Sequence, residues 1–238
     1  MTTSLRALPD GPKGRVPEVR VAHKFLRGAH GSVVGLFESV AALNDARRAA
    51  TGVNGGRMAT HEVDIVRAAI AFTSSGLDAS MQRLVWDAGR YLIPRAGTGA
   101  RAQYESFIRQ ELVSSDKVGA DLIKAIIASD PREELITYYL RQRTKASYQG
   151  SGDLDTRVRG ALGLPGAGLP PARFKALDPF FTVRNSVVHK MDYQDVEAAR
   201  GRARHHRPVE DAAAMCDLAF AVASDLIHSA ATVIVTSR

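Results

Sequence analysis

Apolar residues recur at helical spacing along most of the chain. Between residues 21 and 50, for example, they stand at positions 33, 36, 37, 40 and 43, which fall on one face of a helix. No stretch of alternating apolar and polar residues is longer than a few positions, so the fold class predicted is all-α. The predicted helices cover 21–50, 61–93, 101–128 (interrupted near 114–116), a segment from 130, a short piece over 155–162, a segment from 178, and 208–235.

Two helix starts carry an Asp-Pro signature. Asp130 is expected to be the N-cap of its helix, with Pro131 at the first helical position and Glu133 completing a capping box. Asp178 and Pro179 begin a second such segment. The glycine-rich stretch 52–56 ends the first long helix and suggests a division of the chain. Residues 1–55 would form a flexible lead-in and an added N-terminal helical arm, and residues 56–238 the main helical domain.

Composition and charge narrow the class of protein. With 238 residues, a net charge of +7 and a pI of about 9.8, the chain fits one large domain with a polyanionic partner. The positive charge is uneven, since 200–207 holds four arginines and no acid. The lone Cys216 agrees with a reducing compartment. No apolar signal segment and no uncharged stretch of about 18 apolar residues is apparent, so a cytoplasmic protein without membrane contact is expected.

Arg184 and His189 stand inside the otherwise apolar segment 178–192, DPFFTVRNSVVHKMD. At about 100° per residue, Arg184 falls between two apolar stripes, and His189 lies about 140° from it, close to Asn185. A guanidinium that begins in a buried face needs a partner or a polar cleft. The side chains could equally be structural, with Arg184 paired to a core carboxylate and His189 on the surface. The stripes consist of Phe180, Val183, Val187 and Met191, and of Phe181 and Val188.

The segment FFTVRNSVVHKMD resembles the Arg-x4-6-His signature of the HEPN superfamily of all-α domains. Arg184, Asn185, Val188 and His189 match the signature in order. The segment 72–85, FTSSGLDASMQRLV, is similar to the first core helix of these domains. The resemblance covers about residues 60–235, and it implies a HEPN-like helical bundle.

The resemblance implies a metal-independent endoribonuclease that needs no cofactor. Two copies would dimerise so that both motifs line one cleft. His189 would act as general acid or base, Arg184 would bind the scissile phosphate, and Asn185 would orient either group. The products would carry a 2′,3′-cyclic phosphate and a 5′-hydroxyl. Asp78 would be an auxiliary acid near Arg184, although the helical wheel places it just outside the apolar arc; Asp225 is the alternative partner.

Basic side chains near the motif are candidates for contacts with RNA phosphates. These candidates are Lys190, Arg200, Arg202, Arg204 and Arg207. The adjacent His205 and His206 have no Cys or acid clustered beside them, so no metal site is expected. In HEPN toxins paired with nucleotidyltransferase antitoxins a Tyr usually stands two residues after the His. Met191 occupies that position here, and the nearest tyrosine is Tyr193, so regulation through such a tyrosine is not expected.

Three functional hypotheses follow. The first is a homodimeric ribonuclease acting on cellular or phage RNA, as a toxin or phage-defence effector, with an antitoxin or defence protein as a possible partner. The second is a non-catalytic HEPN-like module that binds RNA, a nucleotide or a partner protein. The third is an unrelated helical scaffold. Cleavage of RNA in EDTA separates the first hypothesis from the second, and oligomeric state tests the third.

Overall fold

The computed structural model describes residues 5–52, 58–113, 118–197 and 203–238. It is 73% helical, and the described residues contain no strand. The prediction of an all-α fold is therefore confirmed. The helices are α1 (Pro17–Thr51), α2 (Thr60–Leu92), α3 (Gly99–Val113), α4 (Ala120–Ile126), α5 (Pro131–Thr144), α6 (Ser151–Asp153, continued by a π-helical turn over Leu154–Gly160), α7 (Pro171–Lys175), α8 (Asp178–Lys190) and α9 (Val209–Thr236).

The three long helices α1, α2 and α9 pack together around the main core. Gly76 allows α1 and α2 to approach closely, because a Cβ atom built at this position would stand 2.1 Å from the Cβ of Ala29. Ser80 of α2 donates to the backbone oxygen of Ala22 at 2.8 Å across the same contact. Side chains of α1 thus share one hydrophobic core with α2 and α9.

The described residues before α1 lie against the body of the protein. Leu5 and Val16 are buried, and the backbone N–H of Arg6 donates to Oδ1 of Asp217 on α9 at 2.9 Å. A ring nitrogen of His228 lies 3.0 Å from the backbone oxygen of Asp10. The sequence predicts a flexible lead-in here because local pattern cannot reveal contacts with a helix 200 residues later.

The two helix starts predicted from Asp-Pro signals are both present, the first at the predicted N-cap and the second shifted by one residue. Asp130 caps α5, as predicted, and its Oδ1 accepts from the backbone N–H of Glu133 at 3.1 Å. The carboxylate of Glu133 pairs with Arg90 on α2 instead of completing the predicted capping box. Asp178 instead lies inside α8 as its first residue, with Pro179 next and Leu177 at the N-cap position. The predicted short helix over 155–162 is a π-helical turn that ends at Gly160.

Only the beginning of α8 is inserted in the core. Phe180 and Phe181 are buried, whereas Val188 is 44% and Met191 59% exposed. Each apolar stripe predicted for this helix therefore begins in the core and ends at the surface. The C-terminal half of α8 lies at the surface, which is where the motif places its histidine.

The last helix, α9, is the one described helix that is long and apolar enough to span a membrane, by length and composition. The helix contains no uncharged stretch of about 18 residues, as expected, because Asp217 and Asp225 interrupt it. Within this fold, 56% of its most apolar window is buried, and the helix packs against α1 and α2. Most of its apolar side chains belong to the core, as does the buried Cys216, whereas Val235 is exposed.

Candidate functional site

A cleft of about 1030 Å³ runs along the C-terminal half of α8. Asn185, His189 and Lys190 line it from the helix, and other walls come from 193–197 and from His205 and Arg207. His189 and Lys190 are exposed to solvent. The volume is at the upper end of the range of about 300–1,000 Å³ found for small-molecule sites. An exposed imidazole on such a wall is accessible to a ligand that enters the cleft.

Arg184 is half-buried and faces α2. Its Nε donates to the hydroxyl of Ser74 at 3.1 Å, and its Nη1 donates to Oδ1 of Asn185 at 2.8 Å. Both acceptors are neutral, so neither of these bonds cancels the positive charge. Because the oxygen of Asn185 accepts from Arg184, the amide nitrogen is the group that Asn185 offers to the cleft. The structure thus joins two of the three predicted catalytic residues directly.

The two acids considered as partners of Arg184 are engaged elsewhere. Oδ1 of Asp78 accepts from the backbone N–H of Tyr148 at 2.7 Å, and its Oδ2 accepts from Gln82 at 2.9 Å. Asp78 therefore holds the chain after α5 against α2. Asp225 pairs with Arg173 at 2.8 Å. The structure brings neither acid to Arg184, whose partner on α2 is Ser74, one turn before Asp78.

A buried carboxylate that the sequence pattern did not reveal lies directly after α8. Asp192 is fully buried and accepts four hydrogen bonds from three side chains. Arg67 Nε donates at 2.9 Å, Arg207 donates through Nε at 3.0 Å and Nη2 at 2.6 Å, and Ser186 Oγ donates at 3.0 Å. We call Arg67, Ser186, Asp192 and Arg207 the Asp192 cluster. Its members come from α2, α8, the turn after α8 and the segment before α9.

The backbone at Met191 and Asp192 has an unusual conformation. Met191 and Asp192 have φ angles of 50° and 61°, which are left-handed values that non-glycine residues rarely adopt. The backbone N–H of Asp192 donates to Ser186 at 2.9 Å and ends α8, and its carbonyl accepts from His205 at 2.9 Å. Asp192 thereby attaches residues 203–207 to the end of α8 and forms part of the frame of the cleft.

Asp192 remains ionised despite its burial. Burial alone would raise the pKa of its carboxyl group, but the hydrogen bonds from Arg207 and Arg67 outweigh this effect and lower the pKa below its ordinary value. A buried carboxylate is stable only with such partners. The cluster is therefore an electrostatic unit in which each charge depends on the others.

The candidate RNA-binding residues divide into three groups. Lys190 and Arg207 line the cleft. Arg204 forms an ion pair with Asp64 at 2.5 Å, and its guanidinium carbon lies 5.2 Å from the ring centre of Tyr193, so it contributes to the surface beside the cleft. Arg200 and Arg202 lie outside the described residues.

No group of three or more metal-ligating side chains occurs in the part of the chain that the structure describes. Comparisons of the chain with protein-family models, with curated proteins and with solved structures find no match. The resemblance to the HEPN superfamily accordingly rests on the residues of the motif itself.

Proposed function

We propose that this protein is a metal-independent endoribonuclease of the HEPN type, in which His189 transfers protons during cleavage. The observation that carries the proposal is the position of His189, which is exposed on the wall of a cleft of about 1030 Å³ together with Asn185 and Lys190. Histidine suits this role because its ordinary pKa lies near neutrality.

The reaction uses a nucleophile that RNA supplies. The 2′-oxygen forms a bond to the adjacent phosphorus while the bond from phosphorus to the 5′-oxygen breaks. One imidazole accepts the proton of the 2′-hydroxyl, and a protonated imidazole donates a proton to the departing 5′-oxygen. The products are a 2′,3′-cyclic phosphate and a 5′-hydroxyl. Arg184 orients Asn185, and it would stabilise the negative charge that develops on the phosphate if a second copy brings its guanidinium into the shared cleft.

A homodimer would supply both imidazoles. Three apolar side chains are exposed in this part of the molecule: Val188 and Met191 at the end of α8, and Val196 on the cleft wall. Exposed apolar groups beside a polar cleft are typical of an interaction surface. A second copy that covers them would bring two clefts together, each with its own His189. The protein would act in the cytoplasm, as a toxin or phage-defence effector with a partner protein that restrains or triggers it.

A second candidate function is RNA binding without cleavage. The observation in its favour is the position of Arg184, which contacts Ser74 and Asn185 and is not among the residues that line the cleft of its own chain. If no second copy changes this arrangement, the catalytic pair of the motif is incomplete.

The test is cleavage of mixed RNA by the purified protein in EDTA, with mass-spectrometric detection of 2′,3′-cyclic phosphate ends. His189→Ala should lower the rate by about 10²- to 10⁴-fold, the usual contribution of general acid–base catalysis. The matched control is His61→Ala, because His61 is an equally exposed histidine at the start of α2. A loss of less than tenfold in His189→Ala contradicts the proposed role, and bound but uncleaved RNA favours the second candidate.

A further inference from the structure

The guanidinium of Arg207 is fixed in orientation at the cleft. Its Nε and Nη2 donate to different oxygens of Asp192, at 3.0 and 2.6 Å, which is a bidentate pair. Such a pair fixes the plane of the guanidinium as well as its position. The pair does not use Nη1. The side chain is 17% exposed and lines the cleft, so a ligand can reach it.

Asp192 is itself held in place, and it therefore fixes the orientation of Arg207. It is fully buried, and Arg67 and Ser186 donate to it from two different helices. Arg207 therefore needs little reordering when a ligand arrives, and this lowers the entropic cost of binding. The ion-paired group formed by Arg67, Arg204 and Arg207 with Asp64 and Asp192 has three positive and two negative charges, which leaves one net positive charge.

Arg184, the arginine of the motif, is not among the residues that line the cleft of its own chain. Arg184 is turned toward Ser74 on α2 and toward Asn185, whereas the residues that line the cleft with His189 include Lys190 and Arg207. Among the described residues of one chain, the guanidinium that lines the His189 cleft is therefore that of Arg207.

We infer that Arg207, oriented by Asp192, binds a backbone phosphate of single-stranded RNA in the His189 cleft, with Lys190 as a second cation. The identity of the ligand rests on the function proposed above, whereas phosphate binding itself does not require cleavage. Asp195 and Glu197 also line this cleft. Lys190 and Arg207 are the lysine and arginine among its lining residues, and the phosphate site is therefore assigned to these two side chains rather than to the acidic segment 195–197.

The test uses an RNA that the protein cannot cleave. A fluorescein-labelled oligoribonucleotide of mixed sequence, methylated at every 2′-oxygen, is titrated with the full chain in EDTA at 25–200 mM salt, and anisotropy is recorded. Arg207→Ala should weaken binding by about tenfold to a hundredfold, as expected for hydrogen bonds to a charged group. It should also reduce the slope of log affinity against log salt by about 0.7, the value for one phosphate contact on a single strand.

Two further variants make the result decisive. Arg207→Lys retains a positive charge beside Asp192 and so protects folding, but lysine lacks a second nitrogen for the phosphate, and about tenfold weaker binding is expected. Arg173→Ala is the matched control, since Arg173 also pairs with an aspartate but lies away from the cleft. It should bind as the wild type does.

The outcomes separate this inference from the proposed function. Wild-type affinity in both Arg207 variants, or no binding by the wild type at 25 mM salt, overturns the phosphate site. Binding that depends on Arg207 without cleavage of unmodified RNA retains the phosphate site and removes the nuclease. If cleavage depends on His189 but binding does not depend on Arg207, the nuclease is retained and the phosphate site is removed.

Discussion

Arg67 and Asp192 form a buried ion pair across 125 residues of chain, with Arg67 Nε 2.9 Å from Asp192 Oδ2. The pair connects the beginning of α2 to the turn that follows α8. Arg207 and Ser186 bind the same carboxylate, so Asp192 connects α2, the end of α8 and the segment before α9. The cleft that contains His189 is built around it.

Removal of the Asp192 carboxylate should destabilise the protein strongly. Asp192→Ala leaves Arg67 buried without one of its charge partners, and loss of one member of a buried pair typically costs about 3–5 kcal/mol. Equilibrium urea denaturation followed by circular dichroism measures the change. Asp225→Ala is the control, because its pair with Arg173 is about two-fifths exposed and such pairs contribute about 0–1 kcal/mol. Equal effects of the two substitutions would contradict the central role of the cluster.

The stability of the protein should fall in acid because of the same carboxylate. The pKa of Asp192 is lowered in the folded state. Its contribution is therefore fully present above its unfolded pKa of about 3.9 and is lost as the pH falls through the lower folded value. Melting temperatures of the wild type and of Asp192→Asn between pH 6 and pH 2 check this. The difference between them should shrink below about pH 4, and a constant difference would refute the assignment.

The close contact of α1 with α2 should not tolerate a side chain at position 76. The added Cβ in Gly76→Ala would overlap Ala29, and overpacking of this kind costs about 1–3 kcal/mol. In Gly35→Ala the new Cβ meets no atom within 4 Å, so better helix propensity should raise stability by about 0.5–1 kcal/mol. Urea denaturation of both variants gives the comparison. A stabilising effect of Gly76→Ala would mean that the two helices lie farther apart.

The proposed dimer should depend on the apolar surface at the end of α8. Val188→Glu places a charge on that surface, and it should convert a dimer of about twice 25.6 kDa into a monomer. Light scattering coupled to size exclusion measures the mass. Phe72→Glu is the control, since Phe72 is 53% exposed on α2 and does not line the cleft. A wild-type protein that elutes as a monomer at micromolar concentration would exclude this interface as a stable contact.

Local pattern was sufficient for the long helices and for some of their ends, but it did not reveal the short α7. The apolar periodicity of 61–93 predicted α2 within one residue at each end, and the Asp130 cap was found where the sequence indicated it. These features depend on groups within a few positions of one another. The motif segment could also be recognised from the sequence, because a helix that only fills a core would not carry Arg184 and His189 within its apolar run.

The sequence by itself thus determined an all-α chain and drew attention to Arg184, Asn185 and His189. It could not determine which of them face the cleft, since each side chain could rotate toward several neighbours. Tertiary structure decided that Ser74 is the partner of Arg184 and that Asp192 orients Arg207. These two contacts join residues that are 110 and 15 positions apart. Only the packing of α2, α8 and α9 brings such groups within hydrogen-bonding distance, and burial then makes their pairing obligatory.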